Sequence, residues 1–183
     1  MAATVNVSCL LSAALMAVSV LLSLSVPPAA GHHVRLGSCS VTVHTKELRE
    51  YFHEIRHAIV KEDDNMGIRL LKENTMKNVQ ASESCCFLRQ LLRFYVESVF
   101  SQYSTSSPQV RRRTSNLANS FLSIKRDLRQ CHAHMHCHCE EETRLKVEAI
   151  QTTFNKLNVK AAAVKAIGEL DFLLDWLENF RHN

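Results

Sequence analysis

Residues 85–100 read CCFLRQLLRFYVESVF, two adjacent cysteines followed by a run with helical periodicity. Leu88, Leu92, Tyr95 and Val99 recur at spacings of four, three and four, the pattern of one buried helical face. Neighbouring cysteines at the start of a helix point about 100° apart, so each needs its own partner elsewhere in the chain. The stretch predicts a helix that is tied to the rest of the fold at its first turn.

The same periodicity occurs on both sides of this stretch. It predicts four further helices, which lie within residues 45–61, 107–128, 140–157 and 159–180. Ser107-Pro108 is a strong helix start, with Ser at the N-cap and Pro in the first turn. No run alternates clearly enough to predict a strand. We therefore expect an all-α bundle, with residues 63–81 as a long connection between its first two strong helices.

The amino terminus has the composition of a secretory signal. Its first 31 residues contain no Lys, Arg, Asp or Glu, and an apolar run from Leu10 to Val26 ends at Pro27-Pro28. Small residues follow up to Gly31, so we expect cleavage there and a mature helical domain over residues 32–183. Retention as a membrane anchor is the alternative. We expect no membrane insertion after cleavage, and the mild charge of +4 gives no reason to expect a nucleic-acid partner.

The cysteines predict a disulfide framework. Six of the seven lie in the mature chain, and Cys9 lies in the signal. The six are Cys39, Cys85, Cys86, Cys131, Cys137 and Cys139. Cys137 and Cys139 are two closely spaced partners for the adjacent Cys85 and Cys86, in an order that the spacing leaves open. Cys39 would then pair with Cys131. A zinc site in the histidine-rich segment 132–138 is the competing interpretation, but in an oxidising compartment the cysteine thiols form disulfides and are not free to bind a metal.

Neither catalytic nor cofactor-binding motifs occur, so we expect no enzyme activity and no cofactor. The acidic residues Glu169, Asp171 and Asp175 are expected on a solvated helix face, with Lys165 paired to Glu169 four residues on. The run Arg111–Arg113 lies at a helix N-terminus, where positive charge is mildly unfavourable. It is either a solvated turn or a surface for a partner, such as a heparin-like polyanion.

Three stretches carry a family resemblance. They are CCFLRQLLRFYVESVF at residues 85–100, ANSFL at 118–122 through LRQC at 128–131 to Cys137-His138-Cys139, and AAAVKAIGELDFLLDW at 161–176. The first two resemble the interleukin-19, -20 and -24 subfamily, and the third resembles the last-helix signature of the interleukin-10 family. Together they span most of residues 36–180.

The resemblance implies a six-helix class II cytokine bundle, with helices A to F and three intramolecular disulfides. It implies the pairs Cys39–Cys131, Cys85–Cys137 and Cys86–Cys139. Residues 63–81 would form the AB loop and the short helix B. Gly168, in the middle of the last predicted helix, suggests close approach of another helix.

The resemblance also implies a partner. A heterodimeric class II cytokine receptor of the interleukin-20-receptor type would be brought together at the cell surface and would signal through JAK–STAT. We expect a secreted monomer with two receptor surfaces, the AB loop with helix F and helix A with helix D. The candidate contact residues are Lys61, Asp64, Arg69, Lys72, Arg112 and Arg113. The competing class is a secreted helical carrier of lipid or metal.

Overall fold

The structure, a computed structural model, describes residues 31–180. The predicted signal therefore lies, apart from Gly31, outside the described residues, and so does Cys9. Two strands precede the helices, β1 (His32–Leu36) and β2 (Cys39–Val43). The helices are α1 (Thr45–Lys61), α2 (Glu73–Lys77), α3 (Ser84–Phe94), α4 (Pro108–Met135), α5 (Glu141–Asn155), α6 (Val159–Gly168) and α7 (Leu170–Asn179).

The predicted apolar stripes form the core. Leu48, Phe52, Ile55 and Ile59 of α1 are all buried, and each later helix except the five-residue α2 contributes a similar stripe. At the start of α4 the Ser107 hydroxyl accepts a hydrogen bond from the Val110 N–H at 3.4 Å, as expected of an N-cap. The bundle predicted from periodicity is thus confirmed.

Helix α3 continues beyond Phe94 through a π-helical segment, Tyr95–Val99, into a last turn, Phe100–Gln102. The wider π turn has Tyr95 fully buried, and its hydroxyl donates to the Ala166 carbonyl of α6 at 2.9 Å. This bond satisfies the one polar atom of a large buried side chain and joins the π-helical continuation of α3 to α6.

The prediction of no strands is wrong. β1 and β2 pair antiparallel, with Leu36 opposite Cys39 across a two-residue turn, Gly37-Ser38. Gly37 has a φ of +62°, which a glycine adopts without steric cost and which suits a tight hairpin. The side chains of Val34, Leu36, Cys39, Val41 and Val43 all face the core. The hairpin packs against α4 and closes one side of the bundle.

The last predicted helix is interrupted. α6 ends at Gly168 and α7 begins at Leu170, with Glu169 between them at φ −98°, ψ 11°. A Cβ placed on Gly168 would lie 3.5 Å from the Cγ2 atom of Ile59 on α1, an ordinary van der Waals contact, so α1 packs against this residue without the unusually close approach that the glycine suggested. Counting α6 and α7 as one interrupted helix gives six helices. Within residues 31–180, no helix is both long and apolar enough to cross a membrane.

Candidate functional site

Three disulfides link β2, the first turn of α3, the end of α4 and the segment that joins α4 to α5. They join Cys39 to Cys131, Cys85 to Cys137 and Cys86 to Cys139, with Cα–Cα distances of 5.8, 5.6 and 5.5 Å. These are the pairs that the family resemblance implied. Because the links come from distant parts of the sequence, they hold this end of the bundle in one arrangement.

The disulfides account for the cluster of candidate metal ligands. The sulfur atoms of Cys39, Cys85 and Cys137 lie within 4.8 Å of one another, and no other such cluster occurs in residues 31–180. All three sulfurs are in disulfides and lack the thiolate charge that a zinc ligand carries. The cluster is therefore a structural junction that offers no metal centre.

The AB loop is anchored to the last helical segment by a buried carboxylate. Glu169 is only 4% exposed, and its Oε2 atom accepts hydrogen bonds from the backbone N–H groups of Leu70 at 2.9 Å and Leu71 at 2.8 Å. Burial raises the pKa of the Glu169 carboxyl, while the two N–H groups and Lys165 act in the opposite direction. The anchor fixes the middle of the loop, where both leucine side chains enter the core.

Lys165 extends this anchor to the start of the loop. Its Nζ atom donates to Asp63 Oδ2 at 2.8 Å and lies 3.6 Å from Glu169 Oε1, and its side chain is 5% exposed. The predicted pairing of Lys165 with Glu169 is present. The predicted solvated position of Glu169 is wrong, because the AB loop covers this turn of the helix. On an isolated helix Lys165 and Glu169 would form an exposed pair. In the fold they form, with Asp63, a network of three charges that the AB loop covers.

The candidate loop residues lie around this anchor. Lys61, Asp64, Arg69 and Lys72 are all exposed. Lys61 and Asp64 line a shallow groove of about 390 Å³ beside the start of α6. The Arg69 guanidinium lies over the Phe172 ring of α7, 5.6 Å from its centroid, so this side chain is already positioned by an intramolecular contact.

The two candidate arginines of α4 differ. Arg112 is exposed, and no ion pair to it occurs among the described residues. Arg113 is half-buried between α4 and α1, where its Nε atom is 2.5 Å from Glu54 Oε2 and its guanidinium lies 5.6 Å from the Tyr51 ring centroid. The structure therefore leaves Arg112 available to a partner and uses Arg113 to join two helices.

A second ionic contact joins α1 to α7 and was missed from the sequence. Arg49 donates from Nε to Glu178 Oε1 at 2.6 Å and from Nη2 to Asp175 Oδ1 at 2.5 Å. The hydrogen bond to Glu178 is the main cause that raises the pKa of Arg49. No sequence signal identifies this contact, because its partners lie more than a hundred residues apart.

The chain is similar to known proteins in both sequence and fold. The family profile described as Interleukin 10 matches residues 6–182. Interleukin-20 of Mus musculus is 45% identical over 146 residues, which cover 79% of this chain and 83% of that protein. The crystal structure of human interleukin-19 has a TM-score of 0.68 at 33% identity, covering 74% of this chain and 88% of that chain. A structure of PROSS-edited human interleukin 24 has a TM-score of 0.69 at 36% identity, covering 80% of this chain and 97% of that chain.

Proposed function

This chain belongs to the interleukin-10 family, and we propose from that premise that it is a secreted cytokine that brings two class II cytokine receptor chains together. Its fold is the six-helix class II cytokine bundle with three intramolecular disulfides. Its relatives are interleukins, which are cytokines and not enzymes. The proposed receptor is a heterodimer of the interleukin-20-receptor type, and the proposed output is JAK–STAT signalling.

The observation that carries the proposal is the anchored AB loop. A loop held by Glu169 against α7 presents its exposed charges at fixed positions, so little conformational freedom is lost when a partner binds. Arg69 and Lys72 lie on this loop at either side of the two buried leucines. We propose that they, with Lys61 and Asp64, contact the first receptor chain.

The second proposed surface is formed by α1 and the first turns of α4. Arg112 is its exposed cation, and Arg113 fixes the spacing of the two helices through Glu54. The two residues should therefore act differently. Arg112→Glu changes a charge at the rim of an interface, which mainly lowers the association rate, whereas Arg113→Glu also places a carboxylate beside Glu54.

The experiment measures binding kinetics of the mature chain against each receptor ectodomain separately. Arg69→Glu with Lys72→Glu should weaken one receptor chain selectively, and Arg112→Glu with Arg113→Glu should weaken the other. A matched control is Arg35→Glu with Lys156→Glu, which makes the same charge change at two exposed cations outside both surfaces. Wild-type binding by both test variants would refute the residue assignment, and failure of the unmodified chain to bind either receptor would refute the receptor class.

Secretion and oligomeric state are tested independently of the receptors. Expression of residues 1–183 in animal cells should release a chain that begins near His32, as read by amino-terminal mass spectrometry. We propose that this chain is a monomer, because the bridges from Cys131, Cys137 and Cys139 hold the segment before α5 against its own bundle. Light scattering at micromolar concentration that showed a stable dimer would contradict this.

A further inference from the structure

A basic groove lies on the face formed by α3, α4 and α5. Its volume is about 860 Å³. Arg89, Arg93 and Phe94 of α3 lie along it, Lys125 and Arg129 line it from α4, and Gln151 and Asn155 line it from α5. This groove uses none of the residues assigned to the two receptor surfaces.

Charge in the groove is strongly one-sided. Four cations line it, Arg89, Arg93, Lys125 and Arg129, against a single carboxylate, Glu97. Each helix supplies its two cations at positions i and i+4, so they are neighbours on one helical face about 5–6 Å apart at Cβ. Two such pairs on adjacent helices form an extended positive surface, which suits a ligand with several negative charges better than one small anion.

The single carboxylate compensates only part of this charge. Glu97 accepts from Arg93 Nε at 2.9 Å and from Lys125 Nζ at 2.7 Å, and the Lys125 contact is the main cause that lowers its pKa. No ion pair to Arg89 or Arg129 occurs among residues 31–180. These two cations lie on different helices and remain available to a ligand.

We propose that this groove binds a sulfated polysaccharide. Sulfate groups remain ionised and accept hydrogen bonds, which matches the arginines and the amide groups of Gln90, Gln151 and Asn155. The groove is held in shape near Gln90, whose Nε2 atom lies 3.2 Å from the Cys139 sulfur of the Cys86–Cys139 disulfide. Because the four cations stand on packed helices, the backbone that presents them does not have to become ordered before a repeating polyanion binds.

The chemistry of the groove argues against other polyanions. Single-stranded nucleic acid uses exposed aromatic rings for base stacking, and the one aromatic side chain that lines the groove, Phe94, is only 4% exposed. The cations line a concave groove, so they fit a chain that enters it better than the flat plane of a bilayer surface. Encounter with an extracellular polysaccharide rests on the secretion proposed above.

The groove and the second receptor surface are separated along α4. Arg129 lies 17 positions after Arg112 in the same helix, which is about 25 Å along the helix axis. A polysaccharide in the groove therefore leaves Arg112 free, and the bundle can bind both partners at once. Retention of the protein near cell surfaces, without loss of signalling, is the expected consequence.

The test measures binding of the purified secreted chain to a heparin oligosaccharide of defined length, at roughly physiological salt. Arg89→Gln with Arg129→Gln should lower the affinity about tenfold or more and reduce the log–log salt slope by about one for each cation removed. Glu97→Gln should raise the affinity, because it frees Arg93 and Lys125. The control Arg35→Gln with Lys46→Gln makes the same change in net charge outside the groove and should bind like wild type.

Three further arms distinguish the alternatives. Receptor affinities should be unchanged in the Arg89→Gln, Arg129→Gln variant, which separates this proposal from the proposed function. Single-stranded DNA and anionic lipid vesicles should bind more weakly than heparin. The proposal is overturned if heparin affinity depends on Arg111 and Arg112 but not on Arg89 and Arg129, if both charge-matched variants weaken it equally, or if DNA or vesicles bind the groove in preference.

Discussion

Replacement of Glu169 by alanine should release the AB loop. The wild-type carboxylate accepts hydrogen bonds from the N–H groups of Leu70 and Leu71 at 2.9 and 2.8 Å, in a site where both leucines are at most 3% exposed. It also lies beside the buried ammonium of Lys165, which would keep Asp63 as its one remaining anionic partner. The substitution therefore affects two buried donors and one buried charge together.

The size of the effect follows from these contacts. A buried donor that loses its partner costs about 1–3 kcal/mol, and breaking a buried ion pair from one side costs about 3–5 kcal/mol. The two estimates describe overlapping contacts, and Asp63 continues to pair with Lys165, so we expect about 3–5 kcal/mol in total. For a domain of this size that corresponds to a decrease in melting temperature of roughly 6–20 °C.

The assay combines thermal unfolding under non-reducing conditions with hydrogen exchange. Glu169→Ala should lower the melting temperature and should accelerate exchange at the amides of Leu70 and Leu71. The matched control is Asp175→Ala in α7, the helix that follows Glu169, where the side chain is 58% exposed and its pair with Arg49 is worth about 1 kcal/mol or less. If Glu169→Ala melts within a degree or two of wild type and both amides stay protected, the anchor does not stabilise the loop.

Three further predictions concern the core, the disulfides and pH. Gly168→Ala should be neutral or slightly stabilising because its Cβ meets Ile59 at an ordinary 3.5 Å, whereas Gly168→Leu should cost about 1–3 kcal/mol by urea unfolding; equal stability of the two variants would contradict this. Cys86→Ser with Cys139→Ser opens a loop with a sequence separation of 53 and should cost about 4 kcal/mol, while peptide mapping that found Cys86 in another pair would refute the framework. Folding raises the pKa of Glu169, so protonation of this carboxyl stabilises the folded state below about pH 4.5, and that stabilisation is lost as pH rises through the folded pKa. Wild type should therefore gain stability relative to Glu169→Gln as pH falls from 7 towards 4.5. A gain by the variant over this range would contradict the prediction.

The helices could be predicted because their signal is local. A buried helical face needs only apolar residues at spacings of three and four, and the stripe of α1 from Leu48 to Ile59 shows this without reference to any other element. The start of α4 is equally local, since the Ser107 hydroxyl caps it by accepting from the N–H of Val110, three residues on. The break at Glu169 could not be predicted, because the apolar spacing continues unchanged from α6 into α7.

The hairpin had a signal that was overlooked. Val34, Leu36, Val41 and Val43 alternate with polar residues on both sides of Gly37-Ser38, which is the pattern of two short strands around a tight turn. Each strand has only five residues, so the alternation is brief and is interrupted by the turn. The pattern becomes clear only when the two halves are considered together across the Gly-Ser dipeptide.

The candidate site could be predicted only in part, because sequence shows a charge but not the surface that covers it. Lys165 and Glu169 have the spacing of an exposed i, i+4 pair, and the AB loop that buries them comes from about a hundred residues earlier in the chain. Arg112 and Arg113 are equivalent in a list of basic residues, yet one is exposed and the other pairs with Glu54 on α1. In each case a distant element determines whether a charge is available to a partner or stabilises the fold. A receptor-contact assignment based on charge alone therefore includes residues such as Arg113, whose substitution should alter the packing of the two helices that its side chain joins.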